Sequence, residues 1–228
     1  MVQNLGEKEK NIVIRPVDYI MDSEENVKTP TAGSYDFSLH PYFNLSTNNL
    51  KLEPGQKKKV QYTIDIPDNV KGSRWIALYF EQKDVSQNNN EKDSKNKNSD
   101  GRQINVKFEI RYRTLILTTV NNTEKPSGKV VGLQKEENKN SFKLDFKNNG
   151  NVYYRASGRV DIRNNKGETV LKIPIEKFFV FPEQTRTVNI KDKEVKKLKP
   201  GEYIALAIID YGGDQLVAGQ LSFKISEN

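Results

Sequence analysis

The 228-residue sequence contains no cysteine, one histidine and one tryptophan. The absence of cysteine excludes a disulfide framework, a thiol nucleophile and a cysteine-ligated zinc site. The absence of cysteine also suits an exported bacterial protein, although many cytosolic proteins lack cysteine too. No apolar run approaches the roughly 20 residues that a spanning helix needs, so we expect no membrane span. Residues 1–6 contain no apolar leader core, so the chain is expected to be cytosolic or to have lost a leader.

Sequence motifs for catalysis are missing as well. The single histidine, His40, lies between Leu39 and Pro41, without a Gly-x-Ser-x-Gly nucleophile elbow elsewhere in the chain. Glycine-rich nucleotide loops and the Asp-x-Asp-x-Asp-Gly calcium loop are also absent. Paired carboxylates such as Glu24-Glu25 fall in predicted loops. We therefore expect no enzyme activity, no cofactor and no bound metal, and a hydrolase that depends on His40 is the weakest of our hypotheses.

The chain carries a net charge of +7, from 37 lysines and arginines against 30 aspartates and glutamates. Such a charge indicates either an anionic partner or a solvated, lysine-rich surface. Lysines stand beside asparagine and acidic residues in mixed runs such as residues 90–97, which favours the solvated surface.

Apolar and polar residues alternate strictly over residues 104–112, which predicts a half-buried β-strand. We interpret residues 103–120 as the last strand of a first domain and residues 85–101 as a mobile hairpin loop before it. Because charges and aromatic rings fall on opposite faces, the aromatic residues are expected in the core and nucleic-acid binding is not expected. The apolar face comprises Ile104, Val106, Phe108, Ile110 and Tyr112.

Short apolar runs separated by proline, glycine and asparagine turns predict an all-β fold without amphipathic helices. The fold is also repeated: the turn at Pro54 matches the turn at Pro182, and the run from Trp75 matches the run from Tyr203, both at an offset of 128. About seven short strands per copy predict two tandem immunoglobulin-like β-sandwich domains, at residues 1–122 and 128–228. Tyr203 lies where such folds often place a corner tyrosine.

The repeat extends upstream at a different offset. Asn4-Leu5-Gly6 resembles Asn148-Asn149-Gly150 at 144, and Val17-Asp18 resembles Val160-Asp161 at 143. The second copy has predicted strands before its Asn-Asn-Gly turn, and the first copy begins at its turn. The first domain is therefore expected to lack its N-terminal strand or strands. Truncation of the chain would explain this, and so would an open groove that another chain's strand fills.

Two such domains, with a long strand at the end of the first, resemble the bacterial periplasmic pilus-assembly chaperones. The Tyr112-Arg113 pair matches the start of that family's Tyr-Arg-Pro signature, with Thr114 in place of proline. The resemblance implies a lysine three residues before the tyrosine that holds a client's C-terminal carboxylate, but Glu109 stands there. The candidate carboxylate or anion contacts in this sequence are therefore Lys107, Arg111 and Arg113.

The resemblance implies an exported, chaperone-like protein that binds a secreted or pilus-type polypeptide by β-strand addition along residues 104–112. The alternative is a non-catalytic cell-surface module that binds cell-wall glycan or protein. The Leu-x-Pro-Gly pattern at Leu52 is similar to both the chaperones and Gram-positive surface proteins of the WxL type. Both hypotheses place the protein in the periplasm or at the cell surface.

Overall fold

The computed structural model describes residues 1–83, 111–136 and 139–226. Their regular structure is β-strand, apart from short 3-10 turns at His40–Tyr42 and Lys193–Lys197. The chain forms two compact units. Unit 1 comprises Met1–Asp18, Pro30–Ile66 and Trp75–Ile116, and unit 2 comprises Tyr19–Thr29, Pro67–Arg74 and Leu117–Asn228. Three segments of the predicted first domain thus belong to unit 2, namely Tyr19–Thr29, Pro67–Arg74 and residues 117–122. The boundaries 1–122 and 128–228 stay a prediction.

The first ten strands are mostly short. They are β1 (Val2–Gln3), β2 (Lys10–Val17), β3 (Ile20–Met21), β4 (Val27–Lys28), β5 (Phe43–Leu45), β6 (Asn49–Leu52), β7 (Lys57–Lys58), β8 (Tyr62–Ile64), β9 (Gly72–Lys83) and β10 (Arg111–Val120).

The later strands are longer and all belong to unit 2. They are β11 (Gly128–Lys135), β12 (Ser141–Asn148), β13 (Tyr154–Arg163), β14 (Thr169–Val180), β15 (Thr185–Lys191), β16 (Gly201–Asp210) and β17 (Val217–Ile225).

Unit 2 is a two-sheet sandwich with strand orders β11-β12-β15 and β14-β13-β16-β17. Every second residue of the central strands faces the other sheet, so that the ring of Phe146 and the side chains of Ala205 and Ala207 are fully buried. The Tyr203 hydroxyl donates a 2.8 Å hydrogen bond to the Lys199 carbonyl. This is the contact of a corner tyrosine, as the sequence predicted.

Strands β3 and β4 form a small hairpin of unit 2, and its turn contains Glu24 and Glu25, which the sequence placed in a loop. It pairs Ile20 with Lys28, and its turn reaches β15, where the Thr187 N–H donates to the Ser23 carbonyl at 2.9 Å. The polar composition of residues 22–26 favours a loop. The segment nevertheless forms a hairpin, and its turn bonds to β15.

Unit 1 contains one four-stranded sheet, in the order β10-β9-β2-β6, and the two-stranded pairs β1-β7 and β5-β8. Its core is formed by aliphatic residues on one face of the large sheet, including Ile14, Ile76 and Leu78, together with Leu50 and Leu52. These residues recur at every second position of β9 and β6, and Trp75 and Ala77 on the other face of β9 are buried as well.

A buried carboxylate holds the loop that follows β2 in unit 1. Asp18 accepts hydrogen bonds from the Ser38 hydroxyl and from the Gly33 N–H at 2.8 Å. The loop then bonds to β9, where the Leu39 N–H donates to the Trp75 carbonyl at 2.9 Å. Trp75 stacks on a phenylalanine of this loop and is buried.

The two Asn-x-Gly turns have the same hydrogen bonds. The Asn4 amide donates to the carbonyls of Lys8 and Leu52, and its side-chain oxygen accepts from the Gly6 N–H. The Asn148 amide donates to the carbonyls of Val152 and Val180, and its oxygen accepts from the Gly150 N–H. Both asparagines are buried. The repeat at an offset of 144 is therefore a structural repeat, although Asn148 leads from one sheet to the other rather than into the predicted hairpin.

Two other parts of the predicted repeat were wrong by one residue. Ile76 and Leu78 face the core of unit 1, whereas Ala205 and Ala207 face the core of unit 2. The equivalent residues of β9 and β16 are thus 129 apart, rather than 128. Successive residues of a strand point to opposite faces, so Trp75 and Tyr203 are not counterparts.

The same correction applies to β2 and β13. Leu78 pairs with Pro16, and its counterpart Ala207 pairs with Val160. These strands are therefore 144 apart, as the Asn turns are, and not 143.

Candidate functional site

Strand β10 stands at the end of its sheet, next to β9. Within the described ranges, β9 is the strand that pairs with it, and its other edge has no strand beside it. The residues from Arg111 to Leu115 are exposed, and those from Ile116 to Val120 are half-buried. An edge strand with one side open presents backbone N–H and C=O groups to an incoming strand.

The exposed end of β10 includes a residue on the core side of the sheet. Tyr112 and Ile116 are four residues apart in one strand, so their side chains lie on the same face. Ile116 packs against the core of unit 1, yet Tyr112 is 71% exposed. The expectation that Tyr112 is a core residue was therefore wrong, because this end of the edge strand extends past the packed part of the core.

On the opposite face, two arginines share one carboxylate. Glu81 of β9 accepts from the Arg15 guanidinium of β2 and lies 3.1 Å from Nε of Arg111. Both arginine side chains are about half exposed, so each pair contributes only about 0 to 1 kcal/mol. The predicted anion contact Arg111 is thus engaged by Glu81 and the neighbouring Arg113 is exposed.

The remaining predicted site residues lie outside the described residues. They are Ile104, Val106, Phe108 and Ile110 of the apolar face, the candidate anion contact Lys107, and the predicted loop at residues 85–101. Their roles stay predictions. The structure brings together Arg111, Tyr112 and Arg113, one after the other on the open end of β10.

Sequence reasoning missed Arg15 and Glu81. Glu81 follows the apolar run of β9, and Arg15 lies in a predicted strand, but nothing local shows that β2, β9 and β10 are neighbours. The sheet order and the register, which pairs Arg15 with Tyr79 beside Glu81, create the cluster. Only a long-range pairing signal could have found it.

A second open edge lies on β1. In unit 2, β12 pairs with β15 on one side and with β11 on the other. In unit 1, β1 pairs with β7 as β12 does with β15, with Gln3 opposite Lys57. No described strand of unit 1 takes the place of β11. The expectation that the first domain lacks its N-terminal strand or strands stays a prediction.

The single histidine lies at a short turn of unit 1. The His40 backbone N–H donates to the Ser38 hydroxyl at 3.0 Å, at the start of a 3-10 turn. Within the described ranges, no group of three or more histidine, cysteine or acidic side chains is placed to hold a metal ion. A search of the same residues found no helix that is both long and apolar enough to span a bilayer.

Comparison with known proteins identifies the fold. No family model matches the sequence, and no curated protein matches it. Two solved structures resemble the chain, each at a TM-score of 0.50 with 96% of this chain and 88% of the other covered. One is from the chaperone–tip adhesin complex of CFA/I fimbriae biogenesis, at 15% identity. The other is the class 5 fimbriae chaperone CfaA, at 14% identity. The likeness confirms the expected all-β fold of two tandem immunoglobulin-like sandwiches.

Proposed function

We propose that the protein is a non-enzymatic, chaperone-like protein that binds another exported polypeptide by β-strand addition to the open edge of β10. The observation that carries the proposal is Tyr112, which lies on the core side of an edge strand and is 71% exposed. An incoming strand would pair with the backbone of β10 and lay apolar side chains against this face. The fold shared with fimbrial chaperones supports the proposal.

The arginine–glutamate cluster supplies a second contact for such a partner. Arg111 and Arg113 are neighbours of Tyr112 on the same strand, and Arg111 shares Glu81 with Arg15. A carboxylate of the partner would meet guanidinium groups that form forked, charge-assisted hydrogen bonds. Under this proposal, the apolar face gives specificity for alternating side chains and the arginines fix the end of the bound segment.

The test uses a synthetic peptide of alternating valine and threonine and a scrambled peptide of the same composition. We expect the alternating peptide to bind more tightly and to protect the amides of residues 111–116 from hydrogen exchange. Tyr112→Ser should weaken its binding about tenfold, because exposed aromatic anchors contribute strongly to interfaces. The matched control is Tyr62→Ser, at another exposed tyrosine of unit 1.

Equal binding of both peptides, or equal effects of the two substitutions, would reject strand addition at β10. The alternative of a surface module that binds glycan would then take its place. Export is tested separately by fractionating cells that make the protein from its own gene. Recovery in the cytosol would contradict the exported location that we propose.

A further inference from the structure

Unit 2 has a groove between two sheet edges that the proposed function does not use. Strand β14 ends one sheet and β15 ends the other, and a groove of about 580 Å³ lies between them. Buried side chains on its walls include Ile173, Ile175 and Ile190. Polar side chains such as Glu176, Asn189 and Lys191 line it as well, so the groove is of mixed polarity and is bordered by strand backbone on both sides.

The outer edge of β15 offers backbone groups to this groove. The Asp192 N–H donates to the Asn140 carbonyl, next to β12, and backbone direction alternates along an antiparallel strand. Thr187, Asn189 and Lys191 therefore turn their N–H and C=O groups away from β12. Thr187 already shows this geometry, since its N–H donates to the Ser23 carbonyl at 2.9 Å. In the described part of the chain, no strand continues that pairing at Asn189 and Lys191.

A buried cation marks one end of the groove. The side chain of Arg186 is only 14% exposed and lines the groove. It contacts Glu25, whose side chain is 64% exposed, and its Nη1 lies 3.8 Å from the Met21 sulfur. Its buried Nε has no hydrogen-bond acceptor among the described residues. A guanidinium carries five N–H donors, and the Arg186 side chain lines the groove, so a carboxylate that enters the groove would meet it.

We propose that this groove is a second peptide-binding site, which takes an extended segment of another polypeptide along the outer edge of β15. The segment would pair with Asn189 and Lys191, in continuation of the bond that Ser23 makes to Thr187. Its inward side chains would enter the space between β14 and β15, which polar and apolar groups line together. An acidic group at its end would lie against Arg186, in competition with Glu25.

The choice of occupant follows from charge and from strand geometry. The Arg186 guanidinium lines the groove, and a guanidinium selects a carboxylate over an amide. The pleat of β15 selects an extended chain, because its free N–H and C=O groups recur at every second residue. This site is separate from β10, so the proposal stands or falls independently of the proposed function.

The experiment uses the full chain and a C-terminally amidated peptide of alternating valine and threonine that ends in glutamate. Its twin ends in glutamine. We expect the glutamate peptide to bind about tenfold more tightly than its twin, because a charge-assisted hydrogen bond is lost in the twin. Both peptides should protect the amides of Asn189 and Lys191 from hydrogen exchange.

Three substitutions locate the site. Arg186→Gln should abolish the preference for glutamate over glutamine. Glu25→Gln should raise the affinity for the glutamate peptide severalfold, because it removes the competing carboxylate, whereas the adjacent exposed Glu24→Gln should leave it unchanged. Asn189→Pro should weaken the binding of both peptides, because it removes an outward N–H that does not bond to β12. Proline is tolerated at such an edge position. The thermal midpoint of each variant checks that it folds.

Equal affinity of the two peptides for the unmodified chain would overturn the proposal, as would protection confined to residues 111–116. The second outcome would assign the peptide to β10 and leave the proposed function intact. A Glu25→Gln chain that behaves like the Glu24→Gln control would also overturn the placement of the acid at Arg186. Failure of all peptide binding would reject both sites.

Discussion

The two Asn-x-Gly turns have the same hydrogen bonds and different surroundings. In unit 2 the chain before β11 lies directly against the turn, so that a Cβ added to Gly150 would be 2.2 Å from the Lys125 carbonyl oxygen. In unit 1 a Cβ on Gly6 would first meet the end of the flexible Lys10 side chain, at 3.3 Å. In unit 1 the hydrogen bonds of the asparagine thus form without a chain segment packed against the turn. In unit 2 the segment before β11 adds a close backbone contact to the same hydrogen bonds.

The two units also differ in the strand that lies beside their sheet edges. In unit 2, β11 pairs with β12 and approaches β17, where Val130 lies next to Gly219. Unit 1 contains counterparts of β12 and β17, in β1 and β10, but no described counterpart of β11.

The largest effect is expected from the two turn glycines. Gly150→Ala should lower the free energy of unfolding of unit 2 by about 3 kcal/mol, because its Cβ would collide with backbone atoms that cannot move freely. Gly6→Ala should change unit 1 by about 0.5 kcal/mol or less, since only a lysine side chain must shift. Fluorescence of Trp75, the only tryptophan, follows unit 1 during denaturation, and amide exchange follows unit 2. A large loss from Gly6→Ala would show that unit 1 is covered at this turn after all.

The asparagines themselves should behave alike in the two units. Asn148→Ala and Asn4→Ala should each cost about 2 kcal/mol, because each leaves two carbonyls and one N–H without their buried partner. Exposed Asn149→Ala is the control and should change stability by about 0.5 kcal/mol or less. Urea denaturation, followed by the same two probes, measures the losses. A much smaller loss from Asn4→Ala would mean that the turn of unit 1 depends on neighbours that are missing here.

The contact between β11 and β17 can be tested at Gly219. A Cβ at this position would be 2.4 Å from the Val130 methyl group. We therefore expect Gly219→Thr to destabilise unit 2 by about 1.5 kcal/mol. The double variant with Val130→Ala, which makes room for the threonine, should recover part of this loss. If the double variant only adds the two single losses, the close approach of β11 to β17 does not limit this position.

Much of this architecture could be predicted from the sequence because it is encoded locally. Short apolar runs between turn residues correctly predicted an all-β fold, and Tyr203 was recognised as a corner residue. The register of the repeat was harder, because the apolar runs at Trp75 and Tyr203 are apolar on both parities. Aligning the two copies of the repeat at an offset of 128 or 129 then matches apolar residues equally well. The two alignments differ in which face of the strand each residue occupies.

The candidate site was less predictable, for a different reason. The position of Arg111 on a strand could be predicted, but its partner Glu81 lies 30 positions away and comes beside it only through sheet order. The pairing of Ser23 with Thr187 is longer in range still. Strand pairing of this kind depends on the whole fold, and a single sequence carries no local signal for it.

The smallest loss of stability is expected at a position that carries different residues in the two copies of the repeat. Tyr154 occupies in unit 2 the place of Lys10 in unit 1, and its hydroxyl donates to the Ser127 carbonyl at 2.8 Å. The N–H groups of Asn149 and Gly150 donate to the same carbonyl. Tyr154→Phe should therefore cost only about 1 kcal/mol near pH 7, because Ser127 keeps other donors.

The same substitution should change the alkaline stability of unit 2. Burial raises the pKa of Tyr154, and the nearby Tyr211 adds to this. The folded state thus holds the proton more strongly than the unfolded state, whose tyrosine pKa is about 10. The resulting stability is complete below about pH 10 and is lost as the pH rises through the raised pKa. Unit 2 of the unmodified chain should lose stability above this pH faster than the Tyr154→Phe variant, as measured by urea denaturation across the alkaline range. Parallel curves would show that Tyr154 opens to solvent and titrates before the unit unfolds.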